Sequence, residues 1–166
     1  FHEDDVRPMG RSASGVKGFQ TDGSIVVGVA TSNEGSELLS VSEKGYGKRS
    51  KIEDYRLTKR GTKGVKTINV TEKTGSLVSD RAVNGDEDVM IMTNDGIIIR
   101  IAVDHVGVYG RNTQGVKLIH VGEDTGVAKV AIVASQESLK DENTSEDSEN
   151  SAENVEKSDI DTNVEV

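Results

Sequence analysis

The amino-acid sequence predicts an all-β fold, a partial propeller-like array of about two and a half four-stranded blades followed by a disordered acidic tail. Three observations carry that expectation. An arginine, three residues and Gly-Val-Lys are written three times, at 11–17 (RSASGVK), 60–66 (RGTKGVK) and 111–117 (RNTQGVK), so that Gly15, Gly64 and Gly115 stand 49 and then 51 residues apart. A second phrase keeps the same beat, since Gly45 and Arg49 recur 51 residues on as Gly96 and Arg100. Between these anchors lie short runs rich in β-branched residues and bounded by turn chemistry, and four such runs in about fifty residues is the size of a propeller blade.

Taken in order, residues 1–14 align by the period with 50–63, so the chain is expected to open in mid-repeat, as a piece of something longer. After Lys17 the sequence predicts strands over 16–20, 25–30, 38–42 and 46–52, with turns at Thr21-Asp22-Gly23-Ser24, Ser32-Asn33-Glu34-Gly35 and Lys44-Gly45. The second repeat predicts strands over 65–70, 77–83, 89–93 and 97–103, and Asn94-Asp95-Gly96 is a tight hairpin signal between the last two. The third predicts strands over 116–121 and 127–133, after which the acidic run begins where two more strands are due. Two and a half blades do not close a ring by themselves, which leaves missing blades upstream or an open arc with exposed edges. No stretch carries a helical period.

Charge divides the chain into a body, 1–135, and a tail, 136–166. From Glu137 onward eleven acidic residues face only Lys140 and Lys157, which accounts for the whole net charge of −9 and leaves the body neutral. The tail is rich in Glu, Asp, Ser and Asn and poor in large apolar residues, so it cannot offset its ordering entropy by burial. The body has a modest aliphatic core, with no Trp and only Phe1 and Phe19 as phenylalanines. Without cysteine, disulfides and thiolate chemistry are excluded, which fits a reducing compartment. No apolar run has membrane-spanning length, since 97–103 is cut by Arg100, and the opening FHEDD lacks a basic leader. A soluble intracellular protein, or part of one, is expected.

The candidate chemistry is cationic. Residues 44–66 hold nine basic side chains against Glu53 and Asp54, a net of +7 in 23 residues. Density of that kind over loops and strand ends is what a polyanion partner requires, while the plain alternative is a solvated rim. The repeat favours the partner, because Arg11 with Lys17, Arg60 with Lys66, Arg111 with Lys117, and Arg49 with Arg100 fall at equivalent places on successive blades. Such a stripe, with small residues between the charges, suits a phosphate backbone and offers little to read base edges. The candidate DNA-binding set is Arg11, Lys17, Lys44, Lys48, Arg49, Arg60, Lys63, Lys66, Arg100, Arg111 and Lys117. Gly15, Gly64 and Gly115 each precede the first strand of a unit, where a left-handed backbone turns the chain into the sheet; joining blades is a sufficient role for them.

Enzyme motifs are missing. There is no G-x-x-x-x-G-K-[ST] phosphate loop, Asp86-Glu87-Asp88 lacks the glycine and distal glutamate of a calcium loop, and His2, His105 and His120 lack metal-ligand spacing. Tyr46, Tyr55 and Tyr109 have no neighbouring group to activate them. No catalytic residue, metal or cofactor is expected in this chain.

The phrases VRPMGRSASGVKG, GYGKRSKIEDYRLTKRGTKGVKTINVTEKTG, MTNDGIIIR and GRNTQGVKLI resemble the C-terminal domain of bacterial DNA gyrase A. The resemblance covers the body from Phe1 to about Val133. It implies a β-pinwheel, a disc of propeller-like blades that exchange strands and bend double-stranded DNA around a basic rim. It further implies a part in an ATP-dependent type II topoisomerase that introduces negative supercoils. ATP and Mg2+ would reside in gyrase B, the partner in a heterotetramer, and the complex would be cytoplasmic, nucleoid-associated and bacterial. The family's Q-R-R-G-G-K-G heptad is absent from these residues, so the contact that closes the wrap is expected to be missing. The acidic tail is expected to compete with phosphates for the rim. A related alternative is the corresponding C-terminal domain of topoisomerase IV; a propeller fragment that binds protein is another, disfavoured by the scarcity of aromatic side chains.

Overall fold

The computed structural model describes residues 1–135, and the chain divides into two units, Phe1–Val133 and Ala134–Val166. The blades belong to the first unit; the acidic tail expected over 136–166 lies outside the described residues. Among the described residues seven strands form: β1 (Glu37–Ser42), β2 (Tyr46–Lys51), β3 (Leu77–Val83), β4 (Glu87–Thr93), β5 (Ile98–Ala102), β6 (Val116–Lys117) and β7 (Val127–Ala134). Three short 3-10 turns, Glu3–Asp5, Ile52–Asp54 and Val103–His105, carry the repeat period into the backbone. No α-helix occurs among the described residues, and no helix is long and apolar enough to cross a membrane.

Local chemistry explains the two hairpins. Gly45, at φ 79°, turns β1 into β2, and its N–H donates to the Ser42 carbonyl at 3.0 Å. Gly96, at φ 88°, does the same between β4 and β5, donating to the Thr93 carbonyl at 3.1 Å. Both turns need a backbone conformation that only glycine adopts cheaply.

The sheets are built across repeats. One has the order β3-β1-β2-β6, so the first repeat's hairpin is flanked by a strand from the second and one from the third. The other has the order β5-β4-β7, with the second repeat's hairpin flanked by a strand from the third. β3 runs antiparallel to β1 from Glu37 opposite Val83 to Ser42 opposite Leu77, with an irregularity at Val41/Ser42. The junction recurs: the Glu43 N–H donates to the Ser76 carbonyl at 2.8 Å, and the Asn94 N–H donates to the Gly126 carbonyl at 3.0 Å. Exchange of strands between units, which the family resemblance implied, is therefore the rule by which these blades are assembled.

One aliphatic cluster joins the two sheets. Leu39, Val41, Val83, Val89, Ile91, Val103 and Val106 are fully buried, and Ile119, Val127 and Val130 pack with them. Each such side chain contributes roughly 1.5–3 kcal/mol by leaving water. β1 shows only weak apolar alternation because both of its faces are covered: Leu39 and Val41 enter the core, while Ser40 and Ser42 are buried among polar partners.

Four expected strands differ. Residues 16–20 and 65–70 form no ladder, and 116–121 shrinks to β6. The first segment of a unit meets the next unit through isolated backbone bonds: the Gln20 N–H donates to the Thr62 carbonyl at 3.0 Å, the Gly61 N–H to that of Gly18 at 2.7 Å, and the Asn69 N–H to that of Thr113 at 3.2 Å. Residues 25–30 are also not a strand. β3 and β7 each add to the hairpin of the repeat before, whereas 25–30 join no sheet among the described residues. Ile25, Val26 and Val29 consequently stay 84%, 70% and 81% exposed.

Candidate nucleic-acid interface

The three Gly-Val-Lys phrases keep one backbone geometry. Gly15, Gly64 and Gly115 all have positive φ, at 80°, 72° and 75°. The arginines that open the second and third phrases, however, donate to backbone carbonyls of the preceding repeat, Arg60 remaining exposed and Arg111 half-buried. Arg60 Nε donates to the carbonyl of Asp5 at 2.9 Å. Arg111 Nε donates to the carbonyl of Asp54 at 3.2 Å and its Nη1 to that of Lys66 at 2.6 Å, with the guanidinium 5.7 Å from the Tyr55 ring centre. Asp5 and Asp54 are the last residues of the first and second 3-10 turns, where a carbonyl has lost its helical donor. Arg11 is exposed.

Arg49 and Arg100 occupy a second recurring position, where Arg49 is largely covered and Arg100 remains exposed. Each pairs with a carboxylate twelve residues earlier on the neighbouring strand: Arg49 Nη1 with Glu37 Oε2 at 2.8 Å, Arg100 Nε with Asp88 Oδ2 at 2.6 Å. In the register of the first hairpin Arg49 faces Leu39 and Glu37 faces Lys51, so the ion pair is the diagonal cross-strand kind. Arg49 also donates through Nε to the Val106 carbonyl at 2.6 Å and through Nη2 to that of Asp104 at 3.1 Å. Lys48, expected on the rim, is fully buried, and its Nζ donates to the carbonyls of Gly110 and Arg111 at 2.7 and 2.6 Å. A lysine inside the array cannot face a duplex; its ammonium instead ties β2 to the third repeat. Burial also lowers its pKa from the ordinary lysine value.

Lys63 is exposed but sits 2.6 Å from Asp22, and this contact, with a further bond from Gln20, holds the Asp22 carboxyl below its ordinary range. The remaining candidates are lysines. Lys17, Lys66 and Lys117, the last residues of the three phrases, are all exposed, and none of them makes an ion pair among the described residues. Lys44 is half-buried in the first hairpin turn. Lys117 Nζ lies 5.2 Å from the centre of the Tyr46 ring, and Lys73 Nζ lies 5.3 Å from the same ring. Lys73 does not follow the period, since its counterparts are Ser24 and Asp124. Nothing in the sequence predicts that Tyr46 gathers two lysines from two later repeats.

These are point charges held at repeated backbone positions, suited to phosphate and without the paired amides or forked guanidinium that read base edges. Among the described residues no group of His, Cys, Asp or Glu is arranged to hold a metal ion.

Comparison with known proteins agrees with the repeat. The family model of the DNA gyrase C-terminal domain, beta-propeller, matches three successive stretches, 1–33, 36–83 and 87–134. The DNA gyrase A protein of Staphylococcus aureus strain MRSA252 is 48% identical over 151 residues, which is 89% of this chain and 17% of that protein. Its counterpart from strain NCTC 8325 is 47% identical over 155 residues. The chain thus spans about 17% of the length of the curated relatives it matches. Among solved structures, a DNA gyrase A C-terminal domain superposes with a TM-score of 0.71 at 28% identity, covering 79% of this chain and 45% of that one. The C-terminal domain of DNA topoisomerase IV superposes with a TM-score of 0.70 at 19% identity, over 80% of this chain and 42% of the other, a likeness of fold.

Proposed function

The chain belongs to the DNA gyrase C-terminal domain, beta-propeller, family, and from that premise we propose that it binds and bends double-stranded DNA along its recurring lysines. On this reading it is part of a gyrase A protein, whose wrapped duplex lets an ATP-dependent type II topoisomerase introduce negative supercoils. ATP and Mg2+ belong to gyrase B, the partner in the heterotetramer, and the assembly acts on the bacterial nucleoid in the cytoplasm. The chain itself supplies no catalytic group; it supplies a curved cationic support.

The observation that carries the reading is the fate of the cations. Once those held by Glu37, Asp88, Asp22 and backbone carbonyls are set aside, Lys17, Lys66 and Lys117 form the set that recurs once per repeat, each two residues after a positive-φ glycine. Equal charges at equal places on a repeated β unit match a partner whose charges are also equal and repeated. Neutralising phosphates releases counterions, so affinity is expected to fall steeply with salt and to depend little on sequence.

The test is fluorescence anisotropy of a labelled duplex titrated at several salt concentrations. Replacing Lys17, Lys66 and Lys117 together by Gln is expected to weaken binding at least about tenfold and to reduce the log–log salt slope by about 2.7, near 0.9 per lost contact. A triple variant that keeps the wild-type slope overturns the proposal.

A further inference from the structure

We infer that the arginine and the lysine of each repeated phrase have different tasks: the arginine fixes the angle between successive repeats, and the lysine meets the duplex. The inference rests on the DNA-bending reading only in its second half. Its first half stands on two copies of one contact. Arg60 reaches the carbonyl of Asp5 and Arg111 that of Asp54; acceptors and donors alike are spaced by the repeat, and each acceptor closes a 3-10 turn one period back. The backbone beside each contact recurs too. Gln20 donates to Thr62 next to Arg60, and Asn69 donates to Thr113 next to Arg111.

Arg111 shows why the residue is arginine. Its Nε and Nη1 hold two carbonyls, those of Asp54 and Lys66, which belong to different segments of the preceding period, while its planar face covers Tyr55. A lysine has the charge and three donors on one freely rotating nitrogen, but lacks the rigid planar fork that sets the direction between two carbonyls. The Lys66 carbonyl links the two tasks directly, because the segment that presents one exposed lysine is itself held by the arginine of the next phrase. The spacing of successive lysines, and hence the curvature imposed on bound DNA, would follow from these contacts.

The decisive variant is Arg111→Lys, alone and with Arg60→Lys, since it keeps charge and removes the fork that holds two carbonyls. The first measurement needs no DNA. The chain has no cysteine, so exposed Glu72 and Glu123, in corresponding turns of the second and third repeats, can be replaced by Cys and spin-labelled. Arg111→Lys, alone or with Arg60→Lys, is expected to broaden or shift the distance distribution between the labels, at temperatures where circular dichroism shows the variant folded. An unchanged distribution overturns the inference.

The second measurement ligates nicked plasmid in the presence of bound chain. The double lysine variant is expected to keep its duplex affinity within about twofold and its salt slope, while the linking-number change per bound chain falls by about half or more. Should the lysine variants bend DNA normally, and the Arg60→Gln/Arg111→Gln pair lower the salt slope by about 1.8, the arginines are phosphate ligands and the division of labour is wrong. Wild-type chain that binds without salt dependence would sink the DNA reading instead, and the label distances would still decide the role of the arginines.

Discussion

Asp80 is a side chain whose surroundings alter its chemistry. It lies on β3, the strand lent by the second repeat, and accepts a hydrogen bond from Ser40 Oγ on β1 at 2.7 Å. Ser40 also contacts Thr67, which in turn bonds Tyr55. Burial raises the Asp80 pKa above its ordinary value, opposed by Ser40 and by the Lys48 ammonium. Burial likewise raises that of the Tyr55 phenol. In the interval between its ordinary and its raised pKa the folded chain binds a proton at Asp80 that the unfolded chain does not, so there its share of stability falls as pH rises. Urea melts of wild type and Asp80→Asn are expected to show it. Relative to the variant, wild type gains stability as pH falls from 7 through the raised pKa and levels off near the ordinary carboxylate value of 3.8. A wild-type-minus-variant difference that does not move with pH contradicts this.

Among elements, the two-residue strand β6 shows how little pairing suffices when the backbone fits closely. It meets β2 at only Tyr46 opposite Lys117 and Gly47 opposite Val116. Gly115, just before it, has φ 75°, and a Cβ there would enter the space of the Gly47 carbonyl oxygen. The glycine thus serves both conformation and contact, where the sequence pointed to conformation alone. Gly115→Ala is expected to destabilise the fold by about 2–4 kcal/mol, from a disfavoured φ added to a backbone clash. Gly96→Ala, which has positive φ but open space around it, is expected to cost only about 1–2 kcal/mol. Denaturant melts of the two side by side separate the terms. The hairpins and β3 were legible in sequence, for β-branched runs and a glycine turn are local signals. The failure of 25–30 to form a strand was not, because a strand needs a neighbour and that neighbour comes from another repeat.

For the whole molecule the relevant quantity is the partition of charge. The eleven acidic residues of 137–166 give the chain its net −9, while the body is neutral overall. If the lysines face phosphates, a tethered polyanion competes with DNA for them, and that competition is screened by salt. A chain shortened to residue 136 is expected to bind duplex about three- to tenfold more tightly at low salt, the advantage vanishing as the Debye length shrinks from ~10 Å at 0.1 M to ~3 Å at 1 M. Equal affinities at low salt would remove the tail from the account.

The sequence by itself determined the period, the β class, the positive-φ glycines and the family, because each is written in residues close together or in phrases repeated whole. It did not determine which cations are free. Arg49, Arg60, Arg100 and Arg111 look alike in the sequence, and a guanidinium is a phosphate ligand or an internal clamp according to what lies within hydrogen-bond reach. For Arg60 and Arg111 that acceptor is a carbonyl 55 and 57 residues earlier in the chain. Only the packing of one repeat against the next brings it near, and so only the tertiary structure distinguishes the bonded arginines from the exposed lysines.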